Sequence, residues 1–161
     1  MVADYLVKCY RAIMLDTEEE YDELITALTG VLHHEPGNVV ALNNRAVAWW
    51  ETGELAQALH DLSEAIEIGT DATPLVNRAE MLMRLGLHSE ALLDYSAAIE
   101  IEPANPYLRR GRGHLLHGLG RFAEAVADYD VAIHVQPEFH RTWTDREKAV
   151  ASTQLDERLE K

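Results

Sequence analysis

GLHSEALLDYSAAIEIEP, residues 86–103, sets a glycine before an amphipathic helix and a proline behind it. Its apolar residues Ala91, Leu92, Tyr95, Ala98 and Ile99 recur at three- and four-residue steps, so they form one stripe on one helix face. The chain writes this stretch three times. GELAQALHDLSEAIEI, residues 53–68, precedes it, and GRFAEAVADYDVAIHV, residues 120–135, follows it. Gly53, Gly86 and Gly120 open the copies, and Ala58, Ala91 and Ala125 then align. So do Asp61, Asp94 and Asp128, Ala65, Ala98 and Ala132, and Ile66, Ile99 and Ile133.

The stretch before each glycine also has helical periodicity: NVVALNNRAVAWWETG, TPLVNRAEMLMRLG and NPYLRRGRGHLLHGLG. Asn38 and Asn105 stand where N-caps belong, and Pro106 occupies a first helical turn, where its missing N–H costs nothing. The three glycines follow the last helical residues and predict left-handed helix ends. Short loops then force antiparallel helix pairs. Ala46, Ala79 and Gly113 in the first helices, with Ala58, Ala91 and Ala125 in the second, let the paired backbones approach closely.

A period of 33–34 residues marks a stacked repeat array. The spacing of small residues, glycine, alanine, a following aromatic or leucine, and a final proline resembles the tetratricopeptide repeat. Pro36, Pro103 and Pro137 supply that last position, and Thr70 replaces it once. The resemblance implies an all-α fold: a right-handed α-solenoid of antiparallel helix pairs, about nine helices including a C-terminal capping helix. It predicts one domain over residues 1–161. A divergent pair at 5–38 is followed by repeats at 39–71, 72–105 and 106–139, then a capping helix at 140–161.

In the first pair, Leu24, Ile25, Leu28, Val31 and Leu32 keep the stripe, and Thr17 with Glu20 reads as a capping box. Glu19 replaces the turn glycine there, which predicts looser packing. The cap is expected to turn Trp143 towards the last repeat and Glu147 and Lys148 towards water, as terminal repeats need a polar outer face.

The 161 residues suffice for a sizeable core, and 47% apolar with 26% charged residues argues against disorder. The single cysteine, Cys9, rules out an internal disulfide and suits a reducing compartment. Asp4, Lys8 and Arg11 interrupt the apolar N-terminus, which argues against a signal peptide, and no run is apolar enough to span a bilayer. The expected location is the cytoplasm. A net charge of −14 disfavours nucleic acid and anionic membrane as partners.

Arg11, Arg45, Arg78, Arg112 and Arg146 recur at one point of each first helix, and Asp61, Asp94 and Asp128 in the second helices. Arg146 has no second helix of its own. This predicts ion pairs between successive repeats: Asp61 with Arg78, Asp94 with Arg112 and Asp128 with Arg146.

No sequence pattern points to catalysis: there is no G-x-S-x-G, phosphate loop, H-E-x-x-H or glycine-rich dinucleotide turn. The expectation is a protein that is not an enzyme and carries no cofactor. His114 and His117 are three apart on one helix and make a histidine-based metal site the weakest alternative, since no third ligand is evident nearby. RRGRG, residues 109–113, has the look of an arginine–glycine segment, but Gly113 and Arg112 already have structural places. Gly111 and Gly118 are left without one.

The family resemblance implies that the first helices line a concave groove that holds an extended peptide or a helix. By alignment this wall takes Asn43, Asn44, Val47, Trp50 and Glu51 from the first full repeat, and Val76, Asn77, Glu80, Met83 and Arg84 from the second. Tyr107, Arg110, His114 and His117 come from the third. Trp49 falls on the core stripe, so Trp50 is expected to face the groove. Arg110, His114 and Arg84 are candidates for receiving a carboxylate.

Co-chaperones of this family clamp the terminal carboxylates of heat-shock chaperones, but Val47, Tyr107 and Gly111 stand here where polar or cationic groups would be wanted. The leading expectation is a non-catalytic adaptor or scaffold with a protein or peptide ligand. The alternative is a chaperone for secreted translocator proteins, although the glycine-and-cysteine signature of that class is missing. The sequence leaves the oligomeric state open.

Overall fold

A computed structural model describes residues 17–159, and all of the regular structure among them is helical. Eight helices follow one another: α1 (Glu18–His34), α2 (Val39–Glu51), α3 (Leu55–Ile68), α4 (Thr73–Arg84), α5 (His88–Ile101), α6 (Pro106–Gly118), α7 (Phe122–Val135) and α8 (His140–Leu159). They pair in sequence as antiparallel hairpins. The first of the nine expected helices, with Cys9 and Arg11, lies outside the described residues.

The helix ends follow their local chemistry. Thr17 accepts from the Glu20 N–H, and the Glu20 carboxylate accepts from the Thr17 N–H, which completes the expected capping box. Asn38 caps α2 through the Ala41 N–H at 2.9 Å, and Asn105 caps α6 through the Tyr107 N–H at 3.0 Å. Gly53, Gly86 and Gly120 take φ of 86°, 77° and 74°, the left-handed conformation that a side chain resists. Each hairpin therefore turns at a residue suited to the turn.

The chain forms two compact units, Met1–Met81 and Leu82–Lys161. In the N-terminal unit, Leu28, Leu42 and Leu62 are fully enclosed. Ala46 and Ala58, without exposed surface, meet beside Leu62 and Met81. Truncating a leucine in such a place removes its transfer energy and leaves a cavity, a loss of about 3 kcal/mol.

In the C-terminal unit, Leu116, Ala125 and Tyr129 pack with Ala149 of α8, so the last helix closes this core. Among the described side chains of this helix, Thr142 and Ala149 are buried. Trp143 reaches the last repeat only at its final turn. It is 43% exposed, and its indole N–H donates to the Pro137 carbonyl at 2.9 Å, which ties the start of α8 to the preceding turn.

Two glycines of α6 are explained by what a Cβ would strike. At Gly113 it would lie 2.7 Å from the Tyr129 ring, and at Gly111 2.6 Å from the Tyr95 ring. Gly111, unexplained by the repeat pattern, makes room for Tyr95. Gly118 has open space around it.

Arg45 and Arg112 close their own hairpins, which corrects the expected pairing. Arg45 donates from Nε and Nη2 to the two Asp61 oxygens at 2.7 and 2.8 Å, so Arg45 rather than Arg78 is the partner of Asp61. Arg112 repeats this fork on Asp128, also at 2.7 and 2.8 Å, instead of reaching Asp94. Arg146 pairs with Asp130, not with Asp128.

The reason is register. Arg45 and Asp61 lie equally far from the turn at Gly53, as Arg112 and Asp128 do from Gly120, and antiparallel helices bring such positions side by side. The link to the preceding helix comes instead from a hydroxyl. Nη1 of Arg45 donates to Thr29, that of Arg78 to Ser63 and that of Arg112 to Ser96, at 3.2, 3.1 and 3.0 Å. Ser63 and Ser96 donate their own protons to the Leu59 and Leu92 carbonyls, which leaves a lone pair for the arginine. At the corresponding place before α8, Asp130 replaces the hydroxyl and takes Arg146 directly.

Candidate functional site

The first-helix face of the N-terminal unit comes from α2 and the part of α4 up to Met81. Asn43, Asn44, Val47 and Asn77 are half-buried, and Glu80 is exposed. Asn77 donates from Nδ2 to Asn43 Oδ1 at 2.8 Å. One amide proton of Asn77 and the amide N–H₂ of Asn43 remain for other acceptors by the donor inventory of the group.

Trp50 does not stand clear of the core. It is half-buried against the cluster of Ala46, Ala58, Leu62 and Met81, which Trp49 also touches. An interior first helix has packed neighbours on two sides, so Trp49 and Trp50 both find apolar surface, and Trp50 keeps part of its ring exposed.

In the C-terminal unit, Met83 is half-buried and Arg84 exposed at the end of α4. Tyr107, Arg110, His114 and His117 follow one another at three- and four-residue steps along α6. Tyr107 is 59% exposed and lies against Phe139 at a centroid distance of 5.0 Å. The Arg110 guanidinium sits 5.1 Å from the same Phe139 ring, a cation–π contact.

Arg110 and His114, expected to receive a ligand carboxylate, already hold one from this chain. Arg110 Nε donates to Asp145 Oδ2 at 2.9 Å, and His114 Nε2 lies 2.9 Å from the same oxygen. Burial pushes the Asp145 carboxyl up, but the hydrogen bonds and charges of Arg110 and His114 outweigh it and hold the group below its ordinary value. The His114 ring stands edge-on to Tyr129 at 6.0 Å. Burial first, then the nearby Asp145 charge, pushes the Tyr129 phenol up to about 12, so it stays protonated.

Asp145 is the residue the sequence reading missed. Its signal was positional: it directly precedes Arg146, as Asn77 precedes Arg78, so it belongs to the same row of first-helix positions.

Among the described residues, His114 and His117 join no group of three metal-ligating side chains. His114 is engaged by Asp145, while the His117 ring lies against Phe122 at 5.2 Å. Among the described residues His60, Asp61 and Glu64 bring three ligand atoms within 4.8 Å, but both Asp61 oxygens are taken by Arg45. No helix among the described residues is long and apolar enough to cross a membrane.

Comparison with known proteins places this geometry. Residues 76–139 match the family model described as "Tetratricopeptide repeat". The human "Tetratricopeptide repeat protein 13" is 35% identical over 98 residues, 56% of this chain and 11% of that protein, so the chain spans a small part of its relative's length. The crystal structure of MamA superposes with a TM-score of 0.76 at 19% identity, covering 88% of this chain and 86% of that one. The first such repeat domain of Spaghetti (RPAP3), bound to the HSP90 peptide SRMEEVD, gives a TM-score of 0.66 at 17% identity over 72% of this chain and 93% of that one. At these identities the two structures establish the fold alone.

Proposed function

Because the chain is a tetratricopeptide repeat protein, we propose that it is a non-catalytic interaction module that holds a peptide or helical segment of a protein partner on its first-helix faces. The observation that carries this reading is the fixed polar and aromatic row those faces present. Asn43 and Asn77 are held by one amide bond, and Arg110 with His114 by Asp145, so each keeps hydrogen-bonding groups in a set geometry. Side chains already locked by neighbours lose little entropy on binding, which favours recognition.

Asn43, Asn44, Asn77 and Glu80 supply donors and acceptors in the N-terminal unit, with Val47 and Trp50 as apolar surface. In the C-terminal unit Tyr107 is the exposed aromatic, flanked by Arg110, His114 and His117, while Met83 and Arg84 extend the row. Aromatic side chains seated this way commonly dominate binding energy. The RPAP3 repeat domain taking a peptide supports a peptide as the class of ligand. Here Asp145 neutralises Arg110, so the partner segment is neutral or basic rather than one ending in acidic residues.

Photocrosslinking tests this. A benzophenone side chain at Tyr107 is expected to capture a discrete partner in the native cell, and one at Leu93, 70% exposed on α5, is not. Equal capture from both positions would defeat the assignment.

A further inference from the structure

A second face of α6 forms one wall of an open pocket of about 470 Å³. Arg109, Arg112 and Leu116 line it from α6, Leu92 and Ser96 from α5, and Arg121, Glu124, Asp128 and Val131 from the turn and α7. Arg109 and Leu116 point about a third of a turn or more away from the Arg110 and His114 face, given about 100° per residue. The pocket therefore stands apart from the proposed peptide row.

Its polar groups are unbalanced. Three guanidinium groups meet two carboxylates, in a protein whose net charge is −14. Arg112 makes three bonds, two to Asp128 and one to Ser96. Arg121 forks onto Glu124 at the solvent edge, with two bonds of 2.7 Å. Arg109 is the poorly satisfied member. It donates once, from Nη1 to Asp128 at 3.3 Å, to an oxygen that Arg112 already occupies. Its Nε is buried and has no hydrogen-bond acceptor among the described residues. The enclosed Nε N–H lies beyond a ligand's reach, but three of the four Nη hydrogens of Arg109 carry no bond within the described residues and remain for one.

We infer that this pocket binds a small organic monocarboxylate, its anionic end between Arg109 and Arg121 and its short apolar body against Leu92, Leu116 and Val131. A carboxylate fits the planar guanidinium fork. One negative charge also balances the single excess positive charge, whereas a doubly charged phosphate would face Glu124 and Asp128 with a charge left over. The uncapped start of α7 adds its partial positive charge: Arg121 stands at the N-cap and makes no side-chain cap there. Pockets of this size suit small ligands.

Titration of the full chain with hexanoate, followed by amide NMR shifts, tests the assignment. Saturable shifts at Leu92, Ser96, Leu116 and Val131 are expected with Kd about 1 mM, ordinary for so small a ligand. Hexanol, which has the body without the charge, and inorganic phosphate, which has charge without the body, should each bind about tenfold more weakly. Arg109→Gln should weaken hexanoate about tenfold and the exposed Arg121→Gln about threefold, while Arg110→Gln leaves it unchanged. The Arg121 variant decides the matter should Arg109→Gln unsettle the fold. Absence of saturable shifts, equal binding of hexanol or phosphate, or indifference to both pocket variants would overturn the proposal.

Discussion

The N-terminal unit joins neighbouring first helices through a neutral amide pair, Asn43 with Asn77. The C-terminal unit joins them at the same relative positions through an ionic pair, Arg110 with Asp145. In both, the donor or acceptor on the earlier helix lies two residues before a recurring arginine, and its partner lies immediately before the next one. The hairpin clamps behind these rows, Arg45 on Asp61 and Arg112 on Asp128, match to within a tenth of an ångström. One geometry thus carries two chemistries. The positions that repeat build the scaffold, and those that vary set what each face can recognise.

The largest test of this comparison removes the clamps. Asp128 holds Arg112 and Arg109, both about three-quarters buried, whereas Asp61 holds Arg45. Asp128→Ala should cost about 3 kcal/mol in urea unfolding and Asp61→Ala about 2 kcal/mol, because the first strands two guanidinium groups. Equal losses would show that Arg109 draws nothing from Asp128.

A smaller effect separates two glycines of α6. Gly113→Ala drives a methyl into the enclosed Tyr129 ring, and should lose about 1–2 kcal/mol after the gain in helix propensity is counted. Gly118→Ala meets nothing and should gain about 0.5 kcal/mol.

Acid titration sharpens the difference between the rows. The folded Asp145 carboxyl lies below its ordinary value, so its stabilisation is complete above about pH 4 and is lost as the pH falls through the lowered folded value. Asp145→Asn should therefore cost about 1 kcal/mol near neutrality and flatten the loss of stability below about pH 4. Asn77→Ala, which removes no titrating group, should leave that acid slope as it is.

Much of the fold was legible because it depends on local chemistry written three times over. The turn glycines, the Asn38 and Asn105 caps and the Thr17–Glu20 box each act within four residues, and the alanine stripe needs only helical periodicity. The ion pairs were misassigned because recurrence shows which residues matter without showing which helix they face. The equal spacing of Arg45 and Asp61 about Gly53 held that answer, but it had to be counted from the turn. The candidate faces were less legible still. Trp50 is half-buried because a second neighbouring helix is present, and the carboxylate on Arg110 and His114 comes from Asp145, 35 and 31 residues away in a segment that lacks the repeat's second helix.

A pair of double-mutant cycles on the C-terminal unit most directly tests whether Asp128 holds the arginine of its own hairpin or that of the following helix. Arg112→Gln with Asp128→Asn should show a coupling of about 2 kcal/mol, and Arg146→Gln with Asp128→Asn one near zero. Strong coupling of Asp128 to Arg146, with none to Arg112, would contradict the scaffold on which both proposed binding surfaces stand.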